Sequence, residues 1–538
     1  MYYPQELAIR PRARPPLYGQ VKPTGSQRKL LRLLLPYLKD YCDCSSVHGI
    51  RYLTDRKLHR YERFMWLLIL LTTIVCATLV YVDLTELYYS VRTQTIIEDS
   101  MRPTFVLSFP SVALCPTNRI NYFKLQQEAP ERFLGANVSA ELREVFIRFF
   151  VGLSAAHFDK LQALNSFFKN ETLAARLSEL DGLDMEAVLE FLMLDCQDIF
   201  QECQWRNKPQ NCCEIFELQR TEAGICWVFN SLTSPEMKKK SAEDKFYPRR
   251  SALSGSGSGL DIMLQLNKSL ISTGIRGVYL MVKQSSQWSD ATRLLPRDSV
   301  NRLSIQPRYT SAHARTRGLT AEVRKCIFPD EVHDSHYKNL PGFVYWRGNC
   351  RSRCHQEYAV DLCKCSPSLF FPQSQQDNFT QCKPSNFQCL YDHRLTFAAE
   401  RIPLEAEYVD SVYHETMTCD CFNSCAQLIF DQIYTSTALD STEIDDRFTT
   451  LRLDIFYRSP WFIKYQTHMR FTFVELLANF GGIIGLFLGA SLLSAIELVY
   501  YFTIGLYLYI HQKLRQPTSA QPITLHLRSK ITATKAAY

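Results

Sequence analysis

From Phe471 to Ile510 the chain is predominantly apolar, and its only charges are Glu475 and Glu497. A helix crosses a bilayer in about 20 residues, and this run is far longer. Four of the 20 glycines fall inside it, between 481 and 489. At about 100° per residue, Ala478, Gly482, Gly485 and Gly489 lie within about 60° of one another and form one small-residue stripe. Two arrangements use such a stripe. One is close helix–helix packing through small residues. The other is a pore, in which copies of the helix bring their glycines around an axis and leave backbone and small side chains facing an ion. Periodicity does not separate them, because a pore helix also packs against its copies.

A second run, Phe64–Val82, holds 19 residues without a charge. The basic, proline-containing residues before it make it a signal anchor rather than a cleaved leader. Residues 1–63 carry 13 Lys and Arg against 5 Asp and Glu, and the tail from His511 carries 5 against none. The positive-inside rule places both flanks in the cytoplasm. The expected organisation is a cytoplasmic tail over 1–63, a span over 64–83, an extracellular domain over 84–470, a span over 471–510 and a cytoplasmic tail over 511–538. The part between the spans is mildly acidic and favours cations.

Of 19 cysteines, all but Cys42, Cys44 and Cys76 lie between the spans. That leaves an even number in an oxidising compartment, as a disulfide framework requires. Four N-glycosylation sequons, at Asn137, Asn170, Asn267 and Asn378, lie there too. Lengthwise, the chain shows no internal repeat. The tail up to about Cys44 reads as disordered, and His48-Gly49 as a local turn. Phe109–Cys115 reads as a strand. Leu142, Val145, Phe146 and Phe149, then Met185, Val188, Leu189 and Leu192, mark helical core stripes. Lys-rich 238–240 and Ser254–Gly259 mark an exposed, flexible loop. Strand alternation follows at Leu260, Ile262, Leu264 and Leu266, at Gly277–Val282 and at Leu451–Ile455. No metal motif, nucleophile elbow or phosphate loop is present, which argues against an enzyme.

The densest signal is Cys326, Cys350, Cys354, Cys363, Cys365, Cys382, Cys389, Cys419, Cys421 and Cys425. His333, His336 and His355 lie among them, yet an extracellular block of this density favours disulfides over zinc. Adjacent Cys212 and Cys213 each need a partner elsewhere. With this block, His48-Gly49, Phe109-Pro…Cys115, Cys226-Trp-Val-Phe-Asn230 and Gly481–Ser491, the chain resembles the degenerin/epithelial sodium channels, most closely their arthropod pickpocket branch.

The resemblance implies a trimer of two-span subunits with a large, disulfide-rich α+β extracellular domain and a pore lined by the second span. It implies bridges 115–226, 326–425, 350–421, 354–419, 363–389 and 365–382, with two more among Cys196, Cys203, Cys212 and Cys213 in unassigned pairing. Gly489-Ala490-Ser491 matches the selectivity filter, and His48-Gly49 the re-entrant cytoplasmic gating segment. Ala478 matches the position where bulky substitutions hold the family open. Glu497 would attract cations at the inner pore, the alternative being a pair with a cytoplasmic base.

The implied function is an amiloride-sensitive, sodium-selective channel at the plasma membrane. Na⁺ would be its permeant ion, with no cofactor or metal and no nucleic acid, and its partners would be related channel subunits in a homo- or heterotrimer, membrane lipid and an unknown extracellular stimulus. Two features depart from the acid-sensing relatives: Asn479 stands where they carry aspartate, and Glu322–Lys325 lacks their tryptophan segment. The gating stimulus, chemical or mechanical, stays open. The alternatives are an ATP-gated type of two-span trimeric channel and a non-conducting two-span receptor.

Overall fold

Apolar length and end caps decide where the long helices run. The computed structural model describes residues 25–271, 276–374, 377–401, 416–440 and 442–515. Contacts divide the chain into two units, one running up to Val91 and resuming at Phe471, the other spanning Arg92–Arg470.

In the first unit, α1 (Gly25–Cys44) and α2 (Ile50–Thr54) precede α3 (Arg60–Ser90). A capping box starts α3: the His59 ring accepts the Tyr61 N–H, and Glu62 accepts the His59 N–H at 3.0 Å. The run expected over 64–83 lies wholly within α3, which is long and apolar enough to cross a membrane. The second apolar run is not one helix. It comprises α4 (Phe473–Leu488), α5 (Leu492–Tyr500), a π turn (Tyr501–Gly505) and α6 (Leu506–Arg515).

The expected disorder up to Cys44 is corrected for α1; residues 1–24 lie outside the described residues. Leu34, Tyr37 and Tyr41 recur at helical spacing, and Tyr37 and Tyr41 are buried at 8% and 6% exposure. Basic, proline-bearing composition concealed a short apolar face that has a partner.

The second unit holds two large sheets, besides two short ladders that pair Cys326–Ile327 with Asn423–Ser424 and Glu400–Arg401 with Met417–Thr418. The strands of the large sheets are β1 (Thr93–Pro103), β2 (Ser111–Pro116), β3 (Phe200–Trp205), β4 (Lys208–Gln210), β5 (Phe216–Thr221) and β6 (Gly224–Phe229). They continue with β7 (Leu260–Asn267), β8 (Gly277–Lys283), β9 (Thr292–Pro296), β10 (Ser299–Ala312), β11 (Ala426–Ala438), β12 (Phe448–Tyr457) and β13 (Trp461–Met469).

The eight-stranded sheet runs β1-β13-β10-β12-β7-β3-β4, with β11 also paired to β10; the five-stranded sheet runs β5-β6-β2-β8-β9. β10 is long enough to meet three partners. It pairs with β11 antiparallel along most of its length, with β12 in parallel over Ser299–Ile305, and with β13 in parallel over Arg308–Ala312. Alternation in β7 puts Leu260, Ile262, Leu264 and Leu266 inward, where they share a core with Leu451, Leu453 and Ile455 of β12.

A separate core is helical. Val145, Phe146, Phe149 and Phe150 of helix Ala140–Ala155 pack with Val188, Leu189 and Leu192 of helix Met185–Leu192 and with Phe370, Phe387 and Leu390. Burying each phenylalanine contributes about 1.5–3 kcal/mol.

The flexible-loop expectation is corrected in both places: Lys238–Lys240 lie in helix Pro235–Glu243, capped by Ser234, and Ser254–Gly259 is pinned. Gly257 N–H and the Ser256 hydroxyl donate to the Asp454 carboxylate, and Gly255 N–H donates to the Tyr457 carbonyl at 2.9 Å. Gly259 sits so close to β12 that any Cβ would overlap the Ile455 carbonyl. The glycines permit close approach here rather than motion.

Eight disulfides cross the second unit. Cys326–Cys425, Cys350–Cys421, Cys354–Cys419, Cys363–Cys389 and Cys365–Cys382 lie nested along one module, and Cys115–Cys226 ties β2 to β6. The unassigned four pair as Cys196–Cys213 and Cys203–Cys212, so the adjacent cysteines bridge two different partners. The free thiols are Cys42, Cys44 and Cys76. The cysteines beside His355 and His393 are bridged, so neither offers a thiolate to zinc. Asn137, Asn170 and Asn378 are exposed and Asn267 is half-buried at the end of β7.

Candidate pore and filter

The site is built by how α4 starts and stops. Thr472 and Glu475 form a capping box, with the Thr472 N–H donating to the Glu475 carboxylate at 2.8 Å. Along α4, Ala478, Asn479, Gly482 and Gly485 are exposed. A Cβ added to Gly481 or Gly482 would meet nothing within 4 Å, so packing inside this chain does not account for either glycine. Elsewhere α4 lies on α3, with the Tyr81 and Phe480 rings 5.0 Å apart.

Gly489 ends the helix. Its N–H still reaches the Gly485 carbonyl at 3.0 Å, but its φ of 58° is left-handed, where glycine is favoured. Ala490 and Ser491 leave the helix, and Ser491 restarts it. Its Oγ accepts the Ser494 N–H at 3.3 Å, while the Ser491 N–H donates to the Ser494 Oγ at 3.1 Å. Gly489-Ala490-Ser491 therefore occupy a break with non-helical backbone, flanked by two helix ends.

The break is held by the segment before α2. The His48 N–H donates to the Leu488 carbonyl at 3.3 Å, and His48 Nδ1 lies 3.0 Å from the Gly489 carbonyl oxygen. A side chain at 489 would overlap the His48 ring. Gly49 turns the chain at a φ of 88° and lies against Leu70 of α3. Below the break, the Ser46 hydroxyl donates to the Glu497 carboxylate at 2.6 Å and lies 2.8 Å from the Ser494 Oγ. Among the described residues, Glu497 thus meets a serine of the segment before α2. Ser46 and Ser494 carry no motif and went unread in the sequence; only their proximity to Glu497 marks them.

The described residues of the second unit also hold a dense ionic cluster that cysteine spacing does not announce. His355, on helix Arg347–Cys363, is held between Glu222 at 2.8 Å and Glu400 at 3.3 Å. Arg351 also binds Glu400, Ser352 also binds Glu222, and Phe158 stacks on the imidazole. Burial opposes the imidazolium, but the two carboxylates outweigh it and push His355 up to about 9. Burial likewise opposes the Glu400 carboxylate, yet His355 and Arg351 hold it down at about 2.

The family described as amiloride-sensitive sodium channel matches residues 41–501. The chain belongs to this family. Its matched span runs from α1, through the break and into the π turn. The chain is 27% identical to Pickpocket protein 19 of Drosophila melanogaster, covering 93% of this chain and 96% of that one. It is 25% identical to Sodium channel protein Nach of Drosophila ananassae, covering 86% of each. It is 22% identical to Acid-sensing ion channel 1A of Danio rerio, covering 87% of each. Family membership makes a cation-channel subunit the coarse reading, and channel chemistry rather than catalysis the one to develop.

Proposed function

We propose that this chain is a subunit of a sodium-selective, amiloride-blockable channel of the plasma membrane, assembled as a homo- or heterotrimer with both termini cytoplasmic. The observation that carries this reading is the helix break at Gly489-Ala490-Ser491 with His48 against it. Non-helical backbone is tolerated at membrane depth only where it meets protein or water, and a ring of carbonyls and small side chains can replace part of the hydration shell of an ion. The open stripe of Ala478, Gly482 and Gly485 supports the same reading, since the glycines are unexplained by contacts within one chain. Ala478 is then a gate position, Asn479 its neighbour at the pore, Glu497 a cation-attracting group below the filter, and the exposed sequons sites of glycosylation. Opening is driven from outside the cell, by a chemical or mechanical stimulus.

Whole-cell recording tests this. Current should be blocked by amiloride and its reversal potential should shift when external sodium is replaced by potassium. Surface protein that passes no current, alone or with related subunits, would favour the non-conducting receptor.

A further inference from the structure

The buried hydrophobic side chains described in the membrane unit lie outside its spans. Among the described hydrophobic residues of that unit, only Tyr37 and Tyr41 of α1 are buried. Both sit on the π turn that follows α5. The Tyr41 ring lies 5.3 Å from those of Tyr501 and Phe502, and the Tyr37 ring 4.8 Å from that of Tyr509.

A π turn widens the helix and loosens its carbonyls. Here the Tyr501 carbonyl takes the Leu506 N–H and also the Tyr37 hydroxyl at 2.6 Å. Gly505 makes room: a Cβ there would lie 2.5 Å from the Tyr37 Oη, while the next atom of that side chain, Cζ, is 3.8 Å away. The same segment then climbs the second span. The Ser45 N–H bonds the Tyr41 carbonyl, Ser46 meets Ser494 and Glu497, and His48 reaches Leu488 and Gly489.

We propose that α1 is a clasp in which Tyr37 and Tyr41, seated on the π turn at Tyr501–Gly505, set the register at which His48 meets Gly489 and so hold the filter at the width that selects sodium. Tyr37 and Gly505 are positioning residues: they touch no ion and act through His48. The inference rests on the channel reading given above.

Gly505→Ala should push Tyr37 off its seat and lower the sodium-over-potassium permeability ratio about five-fold, the worth of one ordinary hydrogen bond. Tyr37→Phe should lower it by no more than that. The double variant Gly505→Ala/Tyr37→Phe should match Tyr37→Phe alone, because removing the oxygen removes what the alanine strikes. Additive effects in the double variant, or an unchanged reversal potential in Gly505→Ala, would overturn the proposal.

A second measurement reads the contact without current. In full-length chain with Cys42, Cys44 and Cys76 changed to serine, Tyr41→Cys and Phe502→Cys should be joined by a short bis-maleimide, with the linked peptide recovered by mass spectrometry. Absence of that peptide, with both thiols reactive, would overturn the clasp whatever the currents. A linked peptide in a chain that conducts in no form would sink the channel reading and the proposal with it, while leaving the contact standing.

Discussion

Replacing His355 by glutamine removes a positive charge from between two carboxylates while keeping hydrogen-bonding capacity. The side chains of His355, Glu222 and Glu400 are 11%, 17% and 20% exposed, so solvent screens them little. The folded state raises His355 from 6.5 to about 9. At about 1.4 kcal/mol per pH unit this corresponds to about 3 kcal/mol of stability. The folded chain holds the proton more tightly than the unfolded one. The contribution is therefore complete below pH 6.5 and is lost as pH rises through about 9. Glu400 acts with the opposite sign: its contribution is present above 4.5 and is lost as pH falls through about 2. Thermal unfolding of the full chain in detergent, scanned from pH 5.5 to 9.5, should show a midpoint that declines across the upper half of that range. His355→Gln should unfold earlier at pH 6, by about 3 kcal/mol, and its profile should be flatter between 6.5 and 9. Parallel profiles for the two proteins would refute the assignment of the proton to His355.

Ser491→Cys should weaken sodium-over-potassium selectivity while surface assembly persists, read as a reversal potential under bi-ionic conditions; an unchanged value would misplace the filter. Cys350→Ser should strand Cys421 and cost about 2–5 kcal/mol of stability, as removal of a native disulfide does in small secreted domains; labelling of Cys421 by a thiol reagent in the variant checks it. Ala478→Val or Ala478→Phe should give a standing, amiloride-blocked sodium current at normal surface density, since overpacking costs about 1–3 kcal/mol at each copy of a closed gate and opening relieves it; surface labelling alongside current separates this from failed assembly.

Features set by local period were legible in the sequence. Alternation fixed the inward face of β7, and the three-four spacing of Val145, Phe146 and Phe149 fixed the face of their helix. What escaped depends on partners far along the chain. The Ser254–Gly259 run has loop composition, but Asp454 arrives from β12 to pin it. His355 stood out only as a zinc candidate among cysteines, because Glu222 and Glu400 approach from other elements. α1 looked like tail for the same reason: its apolar face makes sense only beside Tyr501. The helix break was hidden differently. Gly489 keeps the small-residue period of α4, so a pattern scan runs through it, whereas its left-handed φ is a backbone choice that glycine permits without declaring.

β1, which follows α3 in the chain, and β13, which precedes α4, are antiparallel neighbours from Thr93↔Met469 inward, and the Arg470 N–H closes the pair on the Arg92 carbonyl at 2.9 Å. β13 in turn runs parallel to β10 over Arg308–Ala312. A sheet wired this way is anisotropic under load. Drawing the two chain ends sideways apart breaks the β1–β13 ladder one rung at a time, as a zipper opens, up to the irregularity between Ile97 and Asp99. Pulling both ends together along the strands loads the β10–β13 rungs simultaneously in shear, and they yield only as a group. Lateral spreading is thus the soft mode of this sheet, and axial tension the stiff one.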